Sequence, residues 1–157
     1  MKKICLFLLL IVAIFSGYSQ DSETSDEQQI KNVINLFFKS LETRDTVLMK
    51  QTTMVEAQIW RRRNYKQPVE VDMRFSKDDL PLMPTDPKIT EIPTRVDVLA
   101  GEGIAVAYAP YNLWEDGEFS HCGIDVFTLF EINGHWKIVS TAYTVERENC
   151  DESTGEN

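Results

Sequence analysis

The sequence predicts an α+β fold in which one amphipathic N-terminal helix packs across a long antiparallel sheet. Three observations carry this. Ile30, Val33, Ile34, Phe37, Phe38 and Leu41 recur at the spacing of a single helical face. From Ile89 onward the chain is strand-like, rich in β-branched and aromatic residues. Asp116-Gly117 and Asn133-Gly134 interrupt that run, and both dipeptides supply the positive φ that two-residue hairpin turns need.

The elements follow in order. Met1-Lys2-Lys3, the apolar run Ile4 to Phe15 and the small residues Gly17 and Ser19 read as a signal peptide over 1–19, cleaved after Ser19. The apolar run is short for a bilayer span. Cys5 lies inside it rather than after it, which argues against a lipid anchor. The expectation is an exported protein, periplasmic or extracellular, with no membrane attachment after cleavage. Residues 20–25 read as a polar leader. Thr24-x-x-Glu27 and Ser25-x-x-Gln28 each fit a capping box for the helix. That helix ends near Thr43, and a short one follows over 46–51. Val55 to Trp60 reads as a strand, 64–68 as its turn, and Val69 to Phe75 alternates as the return strand. Ser76-x-x-Asp79 caps a helix that Pro81 and Pro84 keep short. Strands then cover 89–99, interrupted at Pro93, and 104–115, 118–132 and 135–146. The folded domain spans 26–148, and 149–157 is an acidic tail expected to be disordered.

Charge and cysteine usage narrow the function. Without Lys2 and Lys3 the formal net charge of −9 becomes −11. So acidic a chain is a poor partner for nucleic acid or an anionic membrane. Cys122 and Cys150 are the two cysteines beyond the signal, and an oxidising compartment permits a disulfide between them. Spacing leaves that pairing open, because the tail must fold back to close the distance. His121 and His135 are the only histidines, and no dense acidic cluster accompanies them, so no metal site is expected. No cofactor motif, nucleophile motif or phosphate-binding glycine loop is present.

Tight turns set a register, and register sorts residues onto faces. Counted from Asn133-Gly134, Leu129 faces Ile138, Phe127 faces Ser140 and Asp125 faces Ala142. Counted from Asp116-Gly117, Phe119 faces Trp114, His121 faces Asn112 and Asp125 faces Tyr108. One face then grades from an apolar floor with Phe127 into a polar, aromatic mouth of Tyr108, Asn112, Trp114, Phe119, His121, Asp125 and Thr144. That is the make-up of a small-molecule pocket. The opposite face holds Ala105, Ala107, Ala109, Tyr111 and Cys122, and a homodimer is expected to cover it. A slip of one residue would exchange the two faces.

The capped helix, Ala109-Pro110-Tyr111, the Asp116-Gly117 turn, Ser120-His121-Cys122-Gly123-Ile124-Asp125 and Gly134-His135-Trp136-Lys137-Ile138 carry a resemblance. Over about residues 26–148 the chain resembles bacterial nuclear transport factor 2-like proteins. This is the cystatin-like cone shared with SnoaL-like cyclases and ketosteroid isomerases. The resemblance implies a curved sheet with a concave pocket, frequent dimers, and acid–base chemistry in some members.

Within that frame Asp125 is the candidate base, with Tyr108 or His121 as electrophile. The alternative is a buried Asp125 bonded to Tyr108 for structure alone. His121 stands four residues from Asp125, about 13 Å along a strand, so a direct bond needs a bulge. Trp60, Asn112, Trp114, Phe119, Phe127, Ser140 and Thr144 complete the candidate ligand contacts, with Trp60 closing the mouth. Arg61-Arg62-Arg63 with Lys66 reads either as an anion site or as a solvated strand end that balances nearby acids. The functional expectation is binding of an unknown small, partly apolar molecule. An acid–base enzyme (isomerase, cyclase or hydratase) is the second reading, and a protein-interaction module without ligand is the third.

Overall fold

The computed structural model describes residues 21–85 and 87–151. The signal-peptide reading lies outside them. Helix α1 (Asp21–Thr43) begins inside the stretch read as a polar leader. It stops where Arg44 takes a φ of 56°. Asp45 then caps α2 (Thr46–Thr52), its Oδ1 accepting the Val47 and Leu48 amides at 2.9 Å each. Strands β1 (Thr53–Arg63) and β2 (Glu70–Phe75) form a hairpin. Helix α3 (Ser76–Asp79) starts one residue earlier than the capping signal suggests, with the Phe75 amide donating to Asp78 Oδ2. Strands β3 (Ile89–Pro93) and β4 (Asp97–Gly101) pair with separate halves of β5 (Ile104–Glu115). Strands β6 (Glu118–Ile132) and β7 (His135–Val145) complete the meander.

The sheet order is β2-β1-β7-β6-β5-β3, with β4 also on β5. One pair departs from the expected all-antiparallel arrangement: β1 runs parallel to β7. Helices rather than a tight turn precede β1, so nothing obliges it to meet its neighbour head to tail.

Both hairpin turns form as expected, with positive φ at Asp116, Gly117, Asn133 and Gly134. The register counted outward from them does not hold. Trp114 pairs Phe119, but Leu113 pairs His121, which leaves Ser120 as an extra residue. Leu129 pairs Ile138, but Thr128 pairs Ser140, which leaves Val139 extra. Each bulge moves every later residue to the other face. Asp125 therefore opposes Ala109 and Tyr143, not Tyr108 and Ala142. Cys122 opposes Asn112 and bridges to Glu146, not Tyr111 and Val145.

The inner face consequently carries the alanines. Ala105, Ala107 and Ala109 are buried with Phe127, Leu129, Trp136 and Ile138 beneath Ile30, Ile34 and Phe38 of α1. Short side chains on the sheet let the helix settle close, and each large residue it buries contributes roughly 1.5–3 kcal/mol. Phe37 and Phe38 meet Phe127 edge-to-face, with centroids 5.2 and 5.9 Å apart. The face assigned to a second subunit is thus covered by the chain's own helix. The outer face keeps Trp60, Leu99, Ile104, Val106 and Phe130 exposed.

Cys122 and Cys150 are joined by a disulfide, their Cα atoms 5.7 Å apart. The chain turns back through Asn149, at φ 59°, to make it. Asn112 Nδ2 donates to the Asp151 carbonyl oxygen at 2.7 Å, so the start of the expected disordered tail is tied down.

Gly123 permits the closest approach within the sheet. A Cβ there would stand 2.1 Å from the Thr144 carbonyl oxygen and 2.7 Å from Tyr111 Oη. The Tyr111 hydroxyl crosses β6 at this point to donate to that same carbonyl at 2.8 Å. Gly123→Ala is expected to cost about 2 kcal/mol or more by forcing these atoms apart. Urea denaturation measures it, and an unchanged midpoint would refute the packing described.

Candidate functional site

A cavity of about 370 Å³ lies between the inner face and the helical segments above it. Its lid is apolar: Met49 of α2 packs with Leu80 and Met83 after α3, against Phe37 and Leu41 of α1. Ile89 and Leu113 continue this lining on the sheet side. The remaining walls are polar. They present Glu91, Tyr111, His121, Asp125 and Tyr143, and beyond them Arg61, Arg63, Arg74 and Arg147.

Asp125 is buried in this wall, only 4 % exposed. Its Oδ2 receives no hydrogen bond from an N–H or O–H donor among the described residues. The Glu91 carboxyl acts on it through its charge, and as a hydrogen-bond partner once one of the two carries a proton, since two carboxylates are both acceptors. Burial pushes the Asp125 carboxyl well above the usual range, and the Glu91 charge and hydrogen bond push it further. Burial raises Glu91 as well, while the bond from Asp125 opposes that rise. Both carboxyls are therefore pushed toward their protonated forms, Glu91 up to about 7, and the pair favours holding a proton between them.

The groups around the pair stay uncharged. Burial, then the Glu91 and Asp125 charges, raise the Tyr111 hydroxyl far above its ordinary value. Burial, then Arg147 and Arg61, push the His121 imidazole down to about 4. His121 Nδ1 shares a hydrogen bond with Ser120 Oγ at 3.0 Å, and its ring meets Tyr111 edge-to-face at 5.8 Å. Tyr143 sits directly opposite Asp125, and its hydroxyl accepts from Arg74 Nη2 at 3.4 Å. Its own O–H remains available to a ligand.

The arginines are unequally engaged. Asp72 binds Arg61 at 3.2–3.3 Å and holds Arg63 closely. Asp79 takes Arg74 Nε at 2.7–2.8 Å, which leaves buried Nη1 of Arg74 without a partner among the described residues. Arg147 stacks on the Tyr65 ring at 4.3 Å. No group of three or more His, Cys, Asp or Glu that could hold a metal ion occurs among the described residues.

Of the residues the sequence singled out, Asp125 and His121 line this pocket. They share no hydrogen bond, because the bulge falls at Ser120 and the two remain four residues apart. Tyr108 is on the outer face, paired with Val126 and beneath the Arg95 guanidinium. Asn112 is also turned outward, to Asp151, and Trp114 and Phe119 pack on each other at 5.6 Å away from the cavity. The bulge at Ser120 is the reason in each case. Phe127 is fully buried under α1 as core. Thr144 uses Oγ to accept the Ile124 amide, and Ser140, just past the Val139 bulge, falls outside the lining. Trp60 is exposed, its ring N–H donating to Gln58, and does not close the mouth; its neighbours Ile59 and Arg61 face inward. Glu91, Tyr111, Tyr143, Arg74 and Arg147 were not anticipated. Glu91 had a signal, since it shares the face of Ile89 in an alternating strand.

No protein-family model matches the sequence, and no curated protein matches it. Solved structures do match. A nuclear transport factor 2-like superfamily protein from Salmonella enterica is 19 % identical, with a TM-score of 0.65 over 87 % of this chain and 99 % of that one. A protein from Novosphingobium aromaticivorans, provisionally named a scytalone dehydratase, is 10 % identical, with a TM-score of 0.66 over 82 % of this chain and 89 % of that one. A protein of unknown function with a cystatin-like fold from Nostoc punctiforme is 12 % identical, with a TM-score of 0.61 over 78 % and 92 %. At such identities the likeness concerns architecture: this chain has the cystatin-like, nuclear transport factor 2-like fold.

Proposed function

We propose that the protein binds a small, partly apolar molecule in the concave pocket, with a polar group of that molecule against Asp125. The observation that carries this is the buried carboxyl pair in a recess with an apolar lid. Burying two acids with chiefly each other as partners is costly. A ligand donor or acceptor at Asp125 would offset that cost. The cavity lies beside the core that α1 buries rather than within it. The N-terminal signal pattern and the Cys122–Cys150 disulfide both favour an exported location, where such a bond persists. A homodimer, if formed, would use the exposed outer face around Trp60, Val106 and Phe130.

The shared proton favours a second reading, acid–base catalysis. A pair that holds one proton in a dry site can give it to a substrate oxygen or recover it from an adjacent carbon. Tyr143, opposite Asp125, is the hydroxyl positioned to hold a developing oxyanion, in place of Tyr108. The dehydratase name of the Novosphingobium protein is compatible with chemistry of this class.

Native mass spectrometry of the protein taken from its own host's envelope should show a bound small molecule. Leu113→Trp, which fills the cavity, should lose it. Apoprotein in both would count against the binding reading.

The proton pair has its own test in stability. Asp125 carries its proton in the folded state where the unfolded chain has released it. Its contribution is therefore complete at acid pH and lost as pH rises from about 4 through the folded value. Asp125→Asn should remove that loss, so the variant gains on the parent by up to about 1.4 kcal/mol per pH unit within the window. Denaturant midpoints that keep a constant difference from pH 4 to 9 would exclude the raised carboxyl.

A further inference from the structure

We infer that the ligand of this pocket is an organic anion: an acid head group held at the arginine wall by Arg147 and Arg74, on an apolar body that reaches inward to Asp125. The inference rests on the reading of the cavity as a ligand site and specifies what enters it.

Composition makes the arginine wall unexpected. In a chain of net charge −9, four arginines converge on one cavity. Two are internally neutralised, since Arg61 and Arg63 share Asp72. The other two retain free capacity. Arg147 has no acid partner among the described residues; the Tyr65 ring holds its guanidinium plane without using its donors. Arg74 is fixed by Asp79 and Tyr143, yet its buried Nη1 has no acceptor among the described residues. A buried guanidinium N–H normally finds an acceptor. A carboxylate or similar oxyanion presents paired acceptors to such forks.

Strand register supplies the length. Arg61 pairs with Tyr143, and Tyr143 pairs with Asp125, so the three occupy one row across β1, β7 and β6. Adjacent strands lie about 4.8 Å apart, which sets the Arg61 backbone about 10 Å from that of Asp125, with Arg74, opposite Ile59 on β2, one strand farther out. The lid residues Phe37, Leu80 and Met83 cover that interval. A bare inorganic anion would satisfy the arginines and leave the apolar interval empty. A neutral apolar molecule would fill the interval and leave Arg74 and Arg147 unsatisfied. An anion with an apolar body of one or two rings does both.

The test uses a matched pair of probes, 2-naphthoate and its neutral counterpart 2-naphthamide, titrated calorimetrically into the full mature protein. The expected result is that naphthoate binds roughly ten-fold or more tightly than the amide. Arg147→Gln should remove most of that preference, weakening naphthoate far more than the amide. Arg74→Lys, which keeps the charge beside Asp79 but removes the free fork nitrogen, should likewise weaken naphthoate more than the amide. Leu113→Trp should abolish both, with the fold verified by circular dichroism. Equal affinity for the two probes, or a preference that survives both arginine substitutions, overturns the anion assignment while the pocket stands. Binding that survives Leu113→Trp overturns it too, because the probe then sits elsewhere. Binding of neither probe refutes the pocket reading itself. Inorganic phosphate that competes fully with naphthoate places the head group at the arginines; failure to compete at any concentration counts against that placement.

Discussion

Two β-bulges determine what the rest of the molecule can do. A strand alternates its side chains strictly, so a single extra residue exchanges the faces of everything beyond it. The extra residue at Ser120 turns Ala105, Ala107, Ala109, Tyr111 and Leu113 of β5 inward. The one at Val139 turns Thr141, Tyr143 and Val145 of β7 inward as well. Without both, Asp125 would face Tyr108 and Ala142, and the stripe of alanines would point away from α1. The helix packing, the acid pair and the arginine wall all depend on these two insertions.

Electrostatics then divides the cavity into zones. Acids at the inner end are kept partly protonated by burial and by each other. The imidazole between the zones is held neutral by burial and by two guanidinium groups. The arginines at the outer end are only partly neutralised by Asp72 and Asp79. Opposite tendencies, an acid reluctant to ionise and a base reluctant to protonate, thus share one desolvated space. Such divergence within a cleft is the usual mark of a site that meets a ligand, although structural networks produce it too.

Local sequence signals made the fold legible. The helical stripe ending at Leu41, both hairpin turns, the break at Pro93 and the β1–β2 hairpin can all be read from neighbouring residues, because propensity and turn chemistry act over a few positions. Asp125 and His121 were legible as site residues because β6 itself is straight enough to alternate. Their partners were not. Neither Ser120 nor Val139 has the composition that announces a bulge, and the nearby glycine, Gly123, instead accommodates Tyr111. The parallel approach of β1 to β7, which brings Arg61 beside Tyr143, joins residues eighty positions apart and leaves no local trace. Glu91 was readable as an inward residue of an alternating strand, but nothing in the sequence connected it to Asp125.

The two sides of the cavity differ in stiffness. On the sheet side, Tyr111 is bonded across β6 to a backbone carbonyl over a glycine with no spare room, and its neighbours are locked in the strand ladder. On the lid side, Met49 and Met83 present unbranched thioether chains that can change rotamer at little cost. A ligand seated as proposed would have its selectivity divided between them. The rigid side would discriminate by the position of charge and hydrogen-bonding groups, while the pliant side would tolerate variation in bulk. Divergence in what such a site accepts could then proceed through the lid alone, without disturbing the strands that hold the acids.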